Sequence, residues 1–463
     1  MTREPRSVCP ICLAPIPAWH ETLENDTGGS DTYLIKECPE HGSFRTMVWR
    51  GPPDFADWSR PKIPSQPKAP STPVDKGCPL DCGLCAAHRQ HTCTAVLDVT
   101  ARCNLGCPVC FASSGADALP DLSPTVIGSL LDSIAKASGF CNIQFSGGEP
   151  TTRDDLPDLI RLARRKGFSF IQLNTNGLRI GSEPGYAAAL ARAGLDSVFF
   201  QFDGMDNDIY TALRGSPLLE RKLAAIDSLA QAGIGVVLVP TVVPGVNDRA
   251  LGAIIRFAAA NSPAVRGVHF QPISYFGRFP RSPADEQRIT LPEVMRQLQA
   301  QTDGALQVSD FLAPGCEHSH CSFHANYIVT GNGGLARLSA KSACCAPPEP
   351  SRPHPTSPRP ASEGADKAKA FVRRQWSSPD MGQPSAQAGD DFDRFIARAS
   401  THTLAVSAMA FQDCWTMDLE RLKGCCIHAV SPDGRLIPFC AYNLTSMDGT
   451  TLYRGKCRGP AAP

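Results

Sequence analysis

A strand-like run at residues 94–99 leads into Cys103, Cys107 and Cys110, a C-x3-C-x2-C loop in the stretch DVTARCNLGCPVCFAS. Three thiolates at this spacing hold three corners of a [4Fe–4S] cluster and leave the fourth iron without a protein ligand. An iron with an open position is a place for chemistry, whereas a fully ligated metal is structural. A fold that uses this loop must set it at the end of a strand with room for a ligand.

Cysteine usage elsewhere fits metal sites. The chain has 20 cysteines in 463 residues, and its opening MTREPRSVCP lacks the apolar segment of a secretory signal. Clustered cysteines without export argue for metal ligation in a reducing compartment over disulfides. With no apolar run long enough to span a membrane, a cytoplasmic protein is expected. The formal net charge is zero and basic–aromatic clusters are lacking, which argues against nucleic-acid binding.

Residues 1–50 carry Cys9 and Cys12 as C-x2-C, then Cys38 and His41. These four make a tetrahedral set that suits zinc or a single iron equally. Residues 51–75, rich in Pro and Ser, read as an extended linker. Residues 76–93 hold Cys78, Cys82, Cys85 and Cys93 as C-x3-C-x2-C-x7-C, a complete set for an auxiliary [4Fe–4S] cluster, with a zinc knuckle as the other reading.

From 94 to 312 the pattern alternates. Apolar and β-branched runs at 95–99, 142–145, 168–173, 197–202, 235–243 and 266–273 are separated by helix-like segments at 123–139, 154–166, 185–193, 218–232 and 248–261. Ser123 and Pro124 stand as N-cap and first helical residue, Gly167, Gly194 and Gly233 as C-terminal stops, and Thr290 with Glu293 as a capping box. The repeat predicts an α/β fold, a partial (β/α)6 TIM-like barrel with small Cys-rich modules at either end. Ligands gather at the C-terminal ends of the strands in such sheets, where the cysteine loop sits.

The second strand ends in Ser146, Gly147, Gly148, Glu149 and Pro150. The glycines let backbone approach a ligand closely, and the carboxylate could accept from an ammonium group. Asn174 and Asn176 close the third strand, Asp203 the fourth, and Asn247 follows the fifth; Asn-Gly and Asp-Gly are also turn chemistry. Residues 206–215 read either as a segment closing over a substrate or as the start of a surface helix. Cys141 reads as a core thiol.

Residues 313–463 add Cys316 and Cys321, then Cys414, Cys425, Cys426 and Cys440. Cys316, Cys321, Cys426 and Cys440 are the set chosen for a further cluster, with Cys425 and Cys414 as substitutes and zinc as the alternative metal. Residues 346–390, dense in Pro, Ser, Ala and Gly, read as a disordered insertion with Cys344 and Cys345 at its edge.

The order of these motifs resembles the radical S-adenosylmethionine (SAM) superfamily. Within it, nearly the whole chain looks like the archaeal tetraether lipid synthases and the pterin C-methyltransferases. The resemblance implies that SAM takes the open iron of the Cys103–Cys107–Cys110 cluster. Gly147, Gly148, Glu149 and Pro150 would lie at its methionine end, and Asn174, Asn176, Asp203 and Asn247 at ribose- and substrate-facing positions. Val109 departs from the commonest pattern, which has an aromatic residue there, and Phe111 is placed to cover the adenine instead. It also implies one or two auxiliary [4Fe–4S] clusters and one mononuclear, rubredoxin-like Fe or Zn.

The activity implied is reductive cleavage of SAM to a 5′-deoxyadenosyl radical, attack on an unactivated C–H bond and C–C bond formation, by alkyl coupling or C-methylation. A low-potential donor such as ferredoxin or flavodoxin would supply the electron, and the substrate would be a small molecule or a lipid. A lipid chain needs an apolar tunnel, whereas a pterin needs polar groups in a smaller pocket. A multi-cluster iron–sulfur electron carrier and a zinc-knuckle binding protein are the other classes. The first does not account for GGEP and the strand–helix repeat, and for the second the neutral charge and the lack of basic–aromatic clusters argue against a nucleic-acid partner.

Overall fold

The computed structural model describes residues 6–26, 28–60, 66–67, 69–115, 120–338, 361–379 and 398–455. In the N-terminal module a short ribbon, β1 (Ser7–Val8) with β2 (Pro15–Ile16), precedes the antiparallel sheet β3 (Ala18–Glu24), β4 (Ser30–Cys38) and β5 (Gly42–Arg50). Its own core is small, Cys9, Ile16 and Cys38 with Ile11 and Phe44 against them. So little apolar area does not offset the entropy of ordering fifty residues, and the module leans on the rest of the chain. Met47 N donates to Asp285 Oδ1 at 3.0 Å, Arg50 pairs with Glu293 at 2.5 Å, and buried Lys36 donates from Nζ to Val8 O and Cys414 O at 3.2 and 2.6 Å.

Residues 51–60 leave this module without regular structure but not without anchors. Trp58 is buried and donates from its indole to Ser319 O at 3.0 Å, and Phe55 stacks on His320 with ring centroids 3.7 Å apart. Two aromatic side chains in a Pro-rich stretch are enough to hold it against the body.

The strand–helix repeat comprises β6 (Thr94–Thr100), α1 (Pro124–Ser138), β7 (Asn142–Gly147), α2 (Leu156–Arg165), β8 (Ile171–Thr175), α3 (Leu178–Ser182), α4 (Tyr186–Ala193), β9 (Ser197–Gln201), α5 (Asn207–Arg214), α6 (Leu219–Gln231), β10 (Gly235–Val239), β11 (Thr241–Val242), α7 (Leu251–Ala260), β12 (Val265–Pro272) and α8 (Leu291–Gln301). All six apolar runs are strands. Ser123 Oγ accepts from Val126 N, Pro124 opens α1, left-handed Gly194 ends α4, and Thr290 and Glu293 cap α8 reciprocally.

Beyond them come β13 (Ser322–Val329), β14 (Leu335–Arg337), α9 (Ala361–Trp376), β15 (Thr403–Met409), β16 (Ile427–Val430) and β17 (Leu436–Pro438). The main sheet runs β14-β13-β15-β12-β10-β9-β8-β7-β6-β16-β17. β15 lies parallel to β12 and β16 parallel to β6, so the cysteine-rich C-terminal third adds one parallel strand to each side of the six. The fold is the expected partial barrel, widened. Neither added strand follows the local βα rhythm, so periodicity alone did not assign them to this sheet; unpaired edges of a six-stranded sheet need cover, and these strands supply it.

Alternation along the strands sorts the two faces. Ile143, Phe145, Leu173, Val198, Phe200 and Leu238 pack with the helices in the main core. The opposite, inner face is polar. Gln144 Nε2 donates to Gln172 Oε1 at 2.9 Å, and Gln172 Nε2 to Ser197 Oγ at 3.2 Å, across adjacent strands. One row higher Asn174 stands beside Phe199, whose other neighbour is Val237, and a further row up His269 on β12 stands beside Ser407 on β15.

The helix α9 corrects the disordered reading of residues 346–390 over its own length. It packs at the bottom of β10 and β12. Trp376 sits 5.0 Å from the Phe199 ring, and Arg266 Nε donates to Gln375 O at 3.1 Å. A Cβ on Gly235 would run into the Trp376 carbonyl, so glycine at this position makes room for the helix end. Composition hid this helix because its anchors are few and the sheet supplies their partners. The remainder of the insertion, with Cys344 and Cys345, lies outside the described residues. Among the described residues no helix is long and apolar enough to cross a membrane.

Candidate active site and metal centres

The loop of Cys103, Cys107 and Cys110 leaves the C-terminal end of β6. Arg278, from the segment after β12, pins it: Nε and Nη2 donate to Cys107 O at 3.1 and 3.0 Å, and Nη1 to Ser114 O at 3.0 Å. The backbones of Cys110 and Arg278 exchange hydrogen bonds of 2.9 and 3.0 Å. A lone arginine in a loop carries no sequence signal of this task. Leu105 N donates to Cys103 Sγ at 3.4 Å, the kind of bond that supports a cluster thiolate. Burial pushes the Cys103 thiol up to about 11, and Glu149, Cys107 and Cys110 add to it electrostatically. Metal binding here must therefore displace protons.

The end of β7 is stitched to this loop. Gly148 N donates to Thr100 O at 2.9 Å and Glu149 N to Arg102 O at 2.8 Å. A Cβ on Gly147 would run into the Thr100 carbonyl, and one on Gly148 into that of Arg102. The paired glycines thus serve backbone-to-backbone contact between two strand ends. Pro150, buried, starts the turn that follows.

Glu149 is 1% exposed and its carboxylate meets four protein donors. Oε1 accepts from Thr151 N at 3.0 Å, Thr151 Oγ1 at 2.7 Å and Thr175 Oγ1 at 2.7 Å; Oε2 accepts from Asn176 N at 2.6 Å. Asn176 in turn donates from Nδ2 to Asn104 Oδ1 at 2.7 Å inside the cysteine loop. Buried Asp203 takes both Arg214 Nε and Nη2 at 2.7 Å. Asn247 donates to Asp203 O and Thr241 O at 2.9 and 2.8 Å and accepts from Val243 N at 2.8 Å.

Glu149, Asn176, Asp203 and Asn247 therefore gather at one end of the sheet, and their side chains brace that end. Asn174 differs. Its Nδ2 donates to Ser146 Oγ at 3.2 Å, while Oδ1 is buried with no partner among the described residues. A buried acceptor without a protein donor is left to bond a water or a ligand. Residues 206–215 hold α5 with its caps: Asp206 accepts from Asp208 N at the start and left-handed Gly215 closes the end.

Lys222 was not singled out in the sequence. It stands in the helical stripe of α6, fully buried, and donates from Nζ to Asn176 O at 2.6 Å and Gln201 Oε1 at 3.0 Å. Burial pulls its ammonium down to about 7. A lysine at an apolar position of an amphipathic helix was the available signal.

In the N-terminal module Cys9, Cys12, Cys38 and His41 bring their ligand atoms within 4.8 Å of one another. Burial pushes the Cys9 thiol up to about 11. Burial also raises Cys38, but the His41 ring and nearby amides outweigh it and hold that thiol at about 7. Three sulfurs and an imidazole nitrogen this close fit one tetrahedral ion.

The auxiliary cysteines sort differently from their sequence spacing. Cys78, Cys82 and Cys85 line one cavity together. Cys93, grouped with them by sequence, faces Cys316 and Cys426 instead. The cause is strand pairing: β16 lies parallel to β6, and Cys93 N donates to Cys426 O at 2.8 Å. The adjacent Cys425 interacts electrostatically with Cys82, Cys440 and Cys321. Cys321, Cys425, Cys426 and Cys440 line a second cavity with Glu317 and Arg421. Buried Cys414 lines neither, and its carbonyl holds Lys36.

Cysteines on one loop at a strand end, an open ligand position and a polar barrel face define a class, and the chain belongs to the radical SAM superfamily. Residues 97–258 match the model of that superfamily, and residues 1–50 match the HMPTM N-terminal zinc ribbon domain. More particularly, the chain is 35% identical, over 96% of its own length and 94% of the relative's, to the 7,8-dihydro-6-hydroxymethylpterin dimethyltransferase of Methanocaldococcus jannaschii. A probable GTP 3′,8-cyclase of Methanothermobacter thermautotrophicus is 33% identical over 35% of this chain and 52% of the cyclase. Among solved structures, Streptococcus suis SuiB bound to SAM aligns with 14% identity and a TM-score of 0.38 over 47% of this chain and 48% of SuiB. The protein is a radical SAM enzyme of the methyltransferase-like kind, binding SAM and a [4Fe–4S] cluster.

Proposed function

We propose that this enzyme methylates carbon on a pterin-like heterocycle. The observation that carries the substrate class is the polar inner face of the barrel. Gln144, Gln172 and Ser197 form a hydrogen-bonded row, with Asn174 and His269 above it. A polar wall that still has Asn174 Oδ1 and His269 Nε2 to offer suits a flat ring with hydrogen-bonding edges and disfavours a long alkyl chain, which would leave those two atoms unpaired. The 35% identity to a protein named for dimethylating 7,8-dihydro-6-hydroxymethylpterin supports the same reading.

Cys103, Cys107 and Cys110 would hold the SAM cluster, whose reduced form supplies a radical able to take hydrogen from a C–H bond. The chain's own part is placement. Gly147 and Gly148 let the β7 end press against the cysteine loop, Arg278 and Asn176 keep that loop in register, and Asn174 Oδ1 accepts from a bound ligand. For the other centres we assign zinc to Cys9, Cys12, Cys38 and His41. One auxiliary cluster goes to Cys78, Cys82 and Cys85 with Cys425. A second takes its ligands from Cys93, Cys316, Cys321, Cys426 and Cys440. A low-potential cytoplasmic donor, ferredoxin or flavodoxin, would deliver electrons.

The test is anaerobic reconstitution, then incubation with 7,8-dihydro-6-hydroxymethylpterin, a strong reductant, SAM in excess and, in a parallel arm, a reduced-folate-type one-carbon donor. The SAM that yields 5′-deoxyadenosine leaves as methionine, so the methyl carbon must come from a second SAM or from that donor. Methylated pterin together with 5′-deoxyadenosine is the expected product pair. Release of 5′-deoxyadenosine with unmodified pterin would refute the substrate class and leave the radical chemistry standing.

A further inference from the structure

We infer that His269, held by Ser407, is the residue that reads a hydrogen-bonding edge of the substrate, an inference that rests on the pterin-like reading above. His269 lies on the inner face of β12, and its neighbour in register on β15 is Ser407. Its Nδ1 is 2.9 Å from Ser407 Oγ, which fixes the plane of the ring. Nε2 has no protein partner among the described residues. Burial depresses the imidazole to about 4, so at neutral pH the ring is uncharged and offers one nitrogen as donor and the other as acceptor. Which nitrogen carries the proton follows from whether Ser407 donates or accepts.

The surroundings match a planar ligand. The His269 ring lies 5.3 Å from Phe199 at an interplanar angle of 42°, and Phe199 lies 5.0 Å from Trp376 on α9 at 57°, so a cluster of tilted rings lines this part of the inner face. Asn174, next to Phe199 in register, presents the unpartnered Oδ1. An aromatic surface flanked by an uncharged imidazole and a free amide oxygen offers stacking and two directional bonds, which is what a heterocycle with polar edges requires.

Three variants separate these roles. His269→Phe keeps a ring against Phe199 and removes both nitrogens, His269→Gln keeps a hydrogen-bonding group, and Ser407→Ala frees the ring to turn. Equilibrium binding of 7,8-dihydro-6-hydroxymethylpterin to the metal-loaded enzyme with SAM present should weaken about tenfold or more in His269→Phe, the size of one lost buried hydrogen bond. It should weaken less in Ser407→Ala and recover in part in His269→Gln, with thermal unfolding midpoints at neutral pH within a few degrees of the parent. Equal affinity of the parent and His269→Phe would overturn the inference while leaving the pterin reading intact. A parent that cleaves SAM but binds no pterin would remove the substrate reading and this inference with it.

Discussion

Glu149→Gln is the most informative single change, because it asks whether this carboxylate serves SAM or the protein. The side chain is 1% exposed and accepts from Thr151 N, Thr151 Oγ1, Thr175 Oγ1 and Asn176 N. Glutamine has the same shape but must put an NH2 where one oxygen was. Facing Oε1's partners it meets Thr151 N–H; facing Oε2's partner it meets Asn176 N–H. Either way a donor confronts a donor in a buried site. A hydrogen bond to a charged group contributes about 1.5–3 kcal/mol, and a buried polar group left unpaired costs about 1–3 kcal/mol more. The local loss is therefore about 3–5 kcal/mol.

The assay is hydrogen exchange of the SAM-free protein, followed at the amides of Thr151 and Asn176. About 3 kcal/mol off the local opening energy speeds exchange by about two orders of magnitude. If the carboxylate instead held the SAM ammonium, Glu149→Gln would weaken SAM binding and leave SAM-free exchange untouched. Unchanged protection at both amides would refute the bracing role.

Other expectations follow from the same geometry. Cys12→Ser, at the exposed corner of the N-terminal set, should lower zinc content by about one ion per chain and leave iron and sulfide unchanged in elemental analysis. Cys425→Ala should lower iron and sulfide content, whereas Cys414→Ala should not, since Cys414 lines neither cysteine cavity. Burial depresses His88 and His269 from 6.5 to about 4, so between those values the unfolded chain binds more protons than the folded one. Stability is then fully present above pH 6.5 and falls as the pH drops towards 4, by up to about 3 kcal/mol per histidine. Thermal midpoints measured from pH 7 to 4 should show the fall, and His269→Phe should flatten part of it.

What could be read along the chain was whatever depends on near neighbours. The spacing of Cys103, Cys107 and Cys110, the glycines of GGEP and the caps at Ser123 and Thr290 are local statements, and local covalent geometry dictates them. The six-strand repeat is likewise legible, since the helix and strand periods show in short windows. Long-range pairing was not legible. β16 settles beside β6 and sets Cys426 against Cys93, and Cys316, from the segment before β13, faces the same pair. No spacing rule contains that step.

The tertiary structure also decided which polar groups are occupied. Glu149, Asp203 and Asn247 look alike in sequence to Asn174, as polar residues at strand ends. Only the packed sheet shows that the first three meet protein donors or acceptors while Asn174 Oδ1 meets none. Likewise α9 has too few apolar anchors to be stable by itself, and its order comes from Gly235, Arg266 and Phe199 on strands more than a hundred residues away. Sequence determined the chemistry available to this protein. Folding determined which of those groups brace the barrel and which are left without a protein partner, because that depends on partners brought together only by the paired strands of the sheet.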